Sequence, residues 1–389
     1  SYIPILLTDY TDTTTLYSAY QIIRPDSNIS TPSLPTSEAI RFPNMKILIV
    51  TGSYPPETCG VGDYTYNLFN CVAARASKWM LYTSRNWKFK SICKTIREIK
   101  AFSADVIFMQ SPTMGYGWSL VPHIVTAFFS CCTPIKYAVV LHEFTQLSFK
   151  ARLAASIMLL TANHVVFTNE TDRQSAIHYS RRLRKRSSVV KIFSNIQKVP
   201  KPKTTDQRRF DLVNFGHIRP GKGIEVFLQA VQEIRSQAIP AQVILVGQVP
   251  KGYEPYYEQI AEMCARLSVP IRLNLSDEEV ASILNDSKIA YLPFPDGISE
   301  RRGSFLAAAT NGVIVLSNAG RFTYEALRQS VVITSPECAA RNIIRILSLP
   351  AERQVELQRK SLLFLSEYMP HSWDEIATAY NNIASNLTK

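Results

Sequence analysis

The chain has 389 residues, of which 46% are hydrophobic and 19% are charged, and its formal net charge at pH 7 is +12. This length and apolar content exclude a chain without a hydrophobic core and predict two or three domains. The seven cysteines lack the spacing of metal ligands, and an odd number of thiols is typical of a reducing cytoplasm rather than of a disulfide framework.

The positive charge is concentrated in one part of the chain. Residues 45–200 contain 20 Lys and Arg against 7 Asp and Glu, a net charge of +13, whereas residues 1–44 carry −2 and residues 201–389 carry +1. A basic half predicts an acidic partner: a membrane surface, a nucleic acid or a phosphorylated substrate. Nucleic acid is not expected as a partner, because no motif that reads bases is present.

Residues 1–44 are rich in Thr, Ser and Pro and show no sustained periodicity, so we interpret them as a linker-like or partly docked N-terminal extension without a signal peptide. The most membrane-like stretch of the chain is residues 117–132. It is shorter than the roughly 20 residues that a membrane span needs, and it contains Pro122 and His123. We predict a buried or interfacial helix there.

From Met45 onward, strands alternate with helical patterns. Residues 46–50 form a continuous apolar strand, and Gly60 and Gly62 follow it before the first helical pattern. Glycines at this point let a backbone approach a phosphate or sugar closely, although a plain tight turn uses them too. Further strands are predicted at residues 79–83, 106–110, 138–141, 165–168 and 189–193. The alternation predicts an open, mostly parallel, doubly wound domain.

His142 ends one of these strands, and ligands of such folds bind at the carboxyl ends of strands. It is therefore a candidate site residue, with a hydrogen-bonded structural histidine as the alternative. Two basic segments are candidates for contact with an anionic membrane. Residues 87–100 combine aromatic residues and lysines with an apolar stripe at Ile92, Ile96 and Ile99, and residues 181–186 are almost entirely basic. The alternative for both segments is a solvated surface.

A second domain repeats the pattern after a polar, proline-punctuated linker at residues 195–209. A strand at 212–215 leads into a glycine-rich basic loop, residues 216–223, and then into a helix. Later strands are predicted at 243–246, 271–273, 289–294, 313–316 and 331–334. Two Rossmann-like domains of this kind present their loops to a ligand cleft between them.

The stretch from Asp296 to Gly312 connects two of these strands and predicts the best-defined ligand site of the chain, a site for an anion. Its loop places Arg301 and Arg302 directly before a helix that begins around Gly303 and Ser304. Free N–H groups and the positive end of the helix dipole favour an anion there, and two guanidinium groups match phosphate geometry. The alternative is a solvated loop with surface arginines.

Taken together, residues 45–67, 216–223 and 296–312, with the closing pattern at 373–380, resemble the GT-B-fold, family-four (group 1), retaining, nucleotide-sugar-dependent glycosyltransferases. The resemblance implies an α/β fold of two Rossmann-like domains with the ligand cleft between them and a C-terminal helix that crosses back to the first domain. The resemblance covers residues 45–389 and implies an acceptor domain (45–200), a nucleotide-sugar-binding domain (201–370) and the returning helix (371–389), whereas the extension (1–44) lies outside it.

The resemblance also implies roles for individual residues. His142, Lys222 and Arg302 would act in catalysis by contacting the donor sugar and neutralising its diphosphate. The remaining candidates would bind the substrate: Gly60, Gly62, His217, Arg219, Ser299, Glu300, Arg301, Gly303, Ser304 and Phe305. No metal ligands and no cofactor are expected, because cations of the protein can replace a metal and the chain lacks an Asp-x-Asp motif.

Two departures from the family pattern affect these roles. Family members commonly have an arginine where this chain has His217, and they commonly carry two glutamates eight positions apart. Here Glu300 has Ala308 eight residues later, and an alignment on Gly312 puts Ser299 and Ala307 in the two places. The glutamate expected to hold the nucleotide ribose is therefore missing.

The resulting prediction is a hexosyltransferase-type enzyme of cell-envelope polysaccharide or glycoconjugate synthesis. It would transfer sugar, with retention, from a UDP- or GDP-linked donor to a glycan or polyprenyl-phosphate-linked acceptor. We expect a cytoplasmic protein that binds peripherally to the inner face of the plasma membrane. The alternatives are a degenerate GT-B protein that binds a nucleotide sugar or a partner without catalysis, and a GT-B nucleotide-sugar epimerase, for which the chain shows few cleft carboxylates.

Overall fold

The computed structural model describes residues 45–389, so the predicted extension at 1–44 lies outside the described part. Two parallel six-stranded sheets form the framework. The first sheet contains β1 (Ile47–Thr51), β2 (Met80–Thr83), β3 (Val106–Ser111), β4 (Lys136–Leu141), β5 (His164–Phe167) and β6 (Ser187–Val189). The second sheet contains β7 (Phe210–His217), β8 (Val243–Gln248), β9 (Ile271–Leu273), β10 (Ser287–Leu292), β11 (Ile314–Ser317) and β12 (Val332–Ile333).

Helices connect the strands, and we refer to each sheet with its helices as the first and the second lobe. The first lobe has α1 (Gly60–Asn70), α2 (Val72–Ala76), α3 (Ile92–Ala101), α4 (Val121–Cys132), α5 (Phe149–Thr161) and α6 (Glu170–Tyr179). The second lobe has α7 (Ile224–Ser236), α8 (Glu254–Arg266), α9 (Asp277–Asn285), α10 (Gly303–Thr310), α11 (Glu325–Ser330), α12 (Ala339–Leu347) and α13 (Ala351–Tyr368). The last helix is α14 (Trp373–Thr388).

Helices cover both faces of each sheet, which is why the strands are continuous apolar runs. In the first lobe, α3 to α6 pack on one face, whereas α1, α2 and α14 pack on the other. In the second lobe, α7, α8 and α12 cover one face, and α9, α10, α11 and α13 cover the other. The predicted α/β architecture of two Rossmann-like domains is confirmed.

The strand order decides which loops meet. It is β2-β1-β3-β4-β5-β6 in the first sheet and β12-β11-β10-β7-β8-β9 in the second. The order reverses between β1 and β3 and between β10 and β7, and such a switch point leaves a crevice at the carboxyl ends of the strands. In the second sheet, the loops after β7 and β10 therefore lie side by side.

The C-terminal helix α14 packs on the first lobe, as predicted. Trp373 and Tyr380 belong to the same hydrophobic core as the strands of the first sheet. The Tyr380 hydroxyl lies 3.0 Å from the Tyr64 hydroxyl of α1, and Trp79 Nε1 donates a hydrogen bond of 2.9 Å to Asn381 Oδ1. These contacts confirm that the C-terminal helix crosses back to the first lobe.

Two expectations about single elements are wrong. Helix α1 begins at Gly60, so Gly60 and Gly62 lie in its first turn rather than in a loop before it. The apolar stripe of α3 is not available to a membrane, because Ile99 is buried in the core and Ile92 and Ile96 pack against it. A helix that covers a parallel sheet must bury its apolar side, and the exposed residues of α3 are Cys93, Lys94, Arg97, Lys100 and Ala101.

The stretch at 117–132 contains α4, which has Pro122 in its first turn and buries Val121, Val125 and Phe129 against the first sheet. The prediction of a buried helix is therefore confirmed. Between Met45 and Lys389, none of the helices combines the length and the apolar character that crossing a membrane requires.

Candidate functional site

The loop between β7 and α7 lies against the loop that follows β10. Gly223 ends the first of these loops with a positive φ of +73°, and a Cβ atom there would lie 1.8 Å from the carbonyl oxygen of Pro293. Only glycine fits both the backbone conformation and the contact. The packing brings Arg219 and Lys222 of the first loop next to the residues that precede α10.

The N-terminus of α10 faces the same crevice. Arg302 occupies the N-cap position, and no side chain caps the helix. Leu306 N donates to the Arg302 carbonyl at 3.0 Å and begins the intrahelical ladder, so the N–H groups of Gly303, Ser304 and Phe305 precede it. These groups and the helix dipole favour an anion at this point, as the sequence predicts.

Arg219, Lys222 and Arg302 form a cationic cluster at the switch point. Burial, and next the charges of Arg219 and Arg302, lower the pKa of Lys222 to about 8. The pKa of Arg302 is lowered chiefly by burial, although the Asp296 carboxylate opposes this change. Within residues 45–389, Lys222 makes neither a hydrogen bond nor an ion pair. Partly desolvated cations that repel one another are expected to bind an anion.

Two buried polar atoms beside the cluster lack partners in the described part of the chain. Arg302 pairs with Asp296 and lies over the ring of Phe294, its Cζ 4.6 Å from the ring centroid, yet its Nε makes no hydrogen bond. The Ser299 hydroxyl is buried and equally unpaired. Because buried polar atoms are nearly always hydrogen-bonded, these two atoms support a polar ligand at this place.

Arg301 joins the two lobes. Its Nη1 donates to Asp172 Oδ2 at 2.8 Å and to the His142 carbonyl at 3.0 Å. Asp172 is fully buried and also accepts from the backbone N–H groups of Phe144 and Thr145. Arg301 is therefore engaged by the first lobe in this structure, and its predicted contact with a substrate stays a prediction.

Glu300 forms a second link between the lobes. Its Oε2 accepts from Lys191 Nζ and from the Tyr324 hydroxyl, each at 2.8 Å, and Lys191 also donates to the Tyr368 carbonyl at 3.0 Å. Lys191 follows β6 of the first lobe. Protein partners thus occupy Oε2 of Glu300, and the predicted role of Glu300 in holding a substrate stays a prediction.

His142 and His217 are both neutral at pH 7. Burial, followed by the charge of Arg301, lowers the pKa of His142 to about 3. Its Nε2 lies 2.8 Å from Gln110 Oε1. Burial and the charges of Lys222 and Arg219 lower the pKa of His217 to about 4. Either ring can exchange hydrogen bonds with a sugar hydroxyl, but neither adds a positive charge, so His217 does not replace the arginine of the family pattern.

Packing accounts for two of the predicted site residues, and their contacts with a substrate stay predictions. A Cβ atom at Gly62 would lie 3.2 Å from the carbonyl oxygen of Ser53, and the Phe305 ring is buried at 5.9 Å from the ring of Phe364. The backbone N–H of Phe305 lies in the first turn of α10. Gly60 differs, because it is exposed and an added Cβ atom would meet no described atom within 4 Å. A close approach by a substrate remains the candidate reason for Gly60.

Sequence reasoning missed the acidic partners of these cations. Asp172 lies three residues after Asn169, the N-cap of α6, and so looks like an ordinary helix-start acid. Asp296 pairs with Arg302 and also accepts a 3.1 Å hydrogen bond from Gln146 of the first lobe. The signal that could have revealed Asp172 is its place just after a strand end, where the cleft lies.

No family model matches this sequence, and no relative was found among curated proteins. Solved structures do match. Anabaena Alr3699/HepE in complex with UDP aligns at a TM-score of 0.64 and 16% identity, covering 88% of this chain and 99% of its own. The catalytic domain of starch synthase IV from Arabidopsis thaliana, bound to ADP and acarbose, aligns at 0.61 and 10%, with the same coverage.

A third match is an alpha-glucosyltransferase in complex with UDP-glucose and DNA containing an abasic site. It aligns at a TM-score of 0.57 and 11% identity, and covers 89% of this chain and 99% of its own. At sequence identities this low, the matches support the fold alone. Together with the two switch points and the returning helix, they show that this chain has the GT-B fold of these glycosyltransferase structures.

Proposed function

We propose that this protein is a glycosyltransferase that takes its sugar from a nucleotide-sugar donor. The observation that carries the proposal is the cationic cluster of Arg219, Lys222 and Arg302 at the switch point of the second sheet, beside the uncapped N-terminus of α10. A diphosphate supplies the two negative charges and the oxygen acceptors that such a cluster needs.

A UDP-sugar is the first candidate donor. HepE was solved with UDP and also with UDP and glucose, and the alpha-glucosyltransferase was solved with UDP-glucose. The starch synthase held ADP, so one fold serves several bases. GDP-linked donors therefore stay in the set to be tested.

The chemistry needs charge stabilisation more than proton transfer by the protein. The bond between the anomeric carbon and the β-phosphate oxygen breaks, and a bond from that carbon to an acceptor hydroxyl oxygen forms. In a retaining transfer, the departing phosphate can take the hydroxyl proton on the same face of the sugar. Lys222, Arg219 and the N–H groups of α10 would stabilise the charge that develops on the diphosphate. We assign no general base.

The acceptor and the place of action are part of the same proposal. The net charge of +13 on residues 45–200 fits a glycan carried by a polyprenyl phosphate at an anionic membrane surface. We therefore propose a hexosyltransferase of envelope polysaccharide or glycoconjugate synthesis that acts on the cytoplasmic side of the membrane.

A thermal-shift screen of the full chain against UDP-, GDP-, ADP-, CMP- and dTDP-sugars tests the donor. A ligand at 100 times its Kd adds about 2.7 kcal/mol to the free energy of unfolding, which is readily measured. We expect one base to raise the melting temperature, and calorimetry then gives the affinity. If none of the five raises it, the cluster does not bind a nucleotide sugar and the proposal fails.

The second candidate is a GT-B protein that binds a nucleotide sugar without turnover. The favouring observation is that Glu300 is held by Lys191 and Tyr324, while Ala307 and Ala308 are buried in α10, so this helix offers no carboxylate to a ribose. Release of UDP from UDP-glucose separates the two candidates. Slow hydrolysis in the absence of acceptor supports a transferase, whereas tight binding with no release after long incubation supports the binder.

A further inference from the structure

The first lobe exposes a group of large apolar side chains along one edge. Trp118 is 91% exposed, Phe149 83% and Phe89 75%. We define the apolar edge as these three residues with their exposed neighbours: Phe89, Met114, Trp118, Leu120, Phe149 and Leu153. Scattered apolar residues are common on protein surfaces, but a contiguous patch that includes a nearly fully exposed tryptophan points to a partner.

The topology brings these residues together. Helices α3, α4 and α5 lie side by side on one face of the first sheet, and each begins at the carboxyl edge of the strands. Phe89 precedes α3, Trp118 precedes α4 and Phe149 opens α5. The apolar edge therefore follows the N-terminal ends of three neighbouring helices, on the edge of the lobe where the ligand cleft opens.

Buried aromatic residues lie beneath the exposed rings. The ring of Trp87 is buried and meets the ring of Tyr116 edge-on, with 4.7 Å between the centroids. The Ser119 hydroxyl donates a hydrogen bond to the Trp87 carbonyl, which joins the loop before α3 to the loop before α4. Trp87 and Tyr116 thus belong to the core, whereas Phe89 and Trp118 lie at the surface.

Helix α5 extends the same surface. Phe149, Leu153, Ile157 and Leu160 recur at a spacing of three to four residues and are all exposed. Lys150 is the single charged residue among the exposed positions of this helix. The outer face of a helix that packs on a sheet is normally polar where it meets water, so an apolar outer face predicts that something covers it.

The charge around the apolar edge indicates what covers it. Residues 84–160 contain nine Lys and Arg against three Asp and Glu. Lys88 and Lys90 flank Phe89, and Lys150 follows Phe149, and all three lysines are exposed. Aromatic side chains alternating with lysines are typical of a surface that inserts among lipid headgroups and is attracted by anionic lipids.

We propose that the apolar edge docks on an anionic lipid bilayer, with Trp118, Phe89 and Phe149 in the headgroup region and the neighbouring lysines on the lipid phosphates. The docking surface is thus this edge and not the inward-facing stripe of α3. It deepens the proposed function, because the cleft would open beside a membrane-anchored acceptor. Its test needs no turnover, so failure of the lipid contact and failure of the transferase proposal are distinguishable.

Sedimentation of the full chain with phosphatidylcholine vesicles, with and without phosphatidylglycerol, is the first measurement. We expect the wild type to bind the anionic vesicles. In the double variant Trp118→Ser, Phe149→Ser, the affinity should fall about tenfold for each large side chain removed. Lys88→Glu with Lys90→Glu should weaken it by a similar factor. The matched control is Val72→Ser, because Val72 is 74% exposed on the opposite face of the lobe. Equal sedimentation of all variants would overturn the proposal.

Tryptophan fluorescence tests whether the lipid contact lies on the apolar edge. Of the four tryptophans, Trp79, Trp87 and Trp373 are buried, so quenching by acrylamide reports Trp118. Anionic vesicles should protect Trp118 from acrylamide and shift its emission to the blue, and Trp118→Phe should remove both effects. Binding that leaves Trp118 quenchable would assign the membrane contact to another surface.

Two further outcomes would also overturn the proposal. One is a dimer that sedimentation velocity detects in wild-type protein and not in the Trp118→Ser, Phe149→Ser variant, because a second copy would then cover the edge. The other is vesicle binding that appears only after deletion of residues 1–44, because that segment would then be the natural cover.

Discussion

Replacing Lys222 by methionine should make the free protein more stable and its nucleotide-sugar complex weaker. Burial and the neighbouring arginines lower the pKa of Lys222 from 10.5 to about 8, so its charge at pH 7 is held at a cost to folding. Because the folded-state pKa lies below the unfolded value, this cost is present below about pH 8 and disappears as the pH rises towards 10.5. Methionine keeps the apolar stem and removes the charge.

The size of the binding effect follows from the type of contact. A hydrogen bond from a charged group to phosphate contributes about 1.5–3 kcal/mol, so the Kd for UDP-glucose should rise roughly 10- to 150-fold in Lys222→Met. For the wild type, affinity should also fall above pH 8. The free protein then loses the proton of Lys222, whereas in the complex the negative charge of the diphosphate keeps Lys222 protonated. At pH 9, about one unit above that pKa, the loss should be roughly tenfold. The variant should lack this pH dependence.

Calorimetry with UDP-glucose at pH 7 and pH 9 measures the binding effect, and scanning fluorimetry without ligand measures the stability effect. Lys360→Met is the matched control, because Lys360 is exposed on α13 and its side chain makes no hydrogen bond or ion pair with a residue of the described range. It should leave both quantities unchanged. A lower melting temperature for Lys222→Met together with unchanged affinity would show that Lys222 is structural, and would refute the reasoning from charge repulsion.

Three other predictions follow from the same structure. Arg301→Ala should lower the free energy of unfolding by about 3 kcal/mol in urea denaturation, because the buried Asp172 then loses the one cation that pairs with it among residues 45–389; an unchanged midpoint would contradict the link between the lobes. Gly223→Ala should cost about 2 kcal/mol or more on the same assay, because its positive φ and the adjoining carbonyl leave no room for a methyl group. UDP-glucose affinity should be constant from pH 5.5 to 7, because the pKa values of His142 and His217 are lowered to about 3 and about 4; a calorimetric inflection near pH 6.5 would show that one of them titrates normally.

The local pattern of the sequence was enough to predict the two parallel sheets and the cationic loops. Strands and helices follow from hydrophobic periodicity, and Ser276 is the N-cap of α9, as its place before three acids predicts. Lys222 and Arg302 are eighty positions apart, yet their common site could be predicted because both follow strands of one parallel sheet. The carboxyl ends of such strands share an edge, so the inference needed no side-chain detail.

The partners of the site residues depended on contacts between the lobes. Arg301 meets Asp172 across 129 positions, and Glu300 meets Lys191 across 109. Neither pair has a sequence signature, because each depends on how one lobe closes on the other. His142 is buried beside Gln110 of its own lobe and near Arg301 of the other, and burial and the charge of Arg301 lower its pKa to about 3, so it is neutral at pH 7.

The two helices α3 and α5 show the limit of what the sequence by itself predicts. Both carry apolar residues at helical spacing, and periodicity reveals such a stripe without saying what it faces. In α3 the stripe at Ile92, Ile96 and Ile99 packs on the sheet, whereas in α5 the sheet takes Ala155, Met158 and Leu159, and a second stripe from Phe149 to Leu160 remains outside. The sequence determined that these helices form and that apolar residues recur along them at helical spacing. Only the tertiary structure decided which face is buried, because that choice depends on the neighbouring helices and on the sheet beneath them.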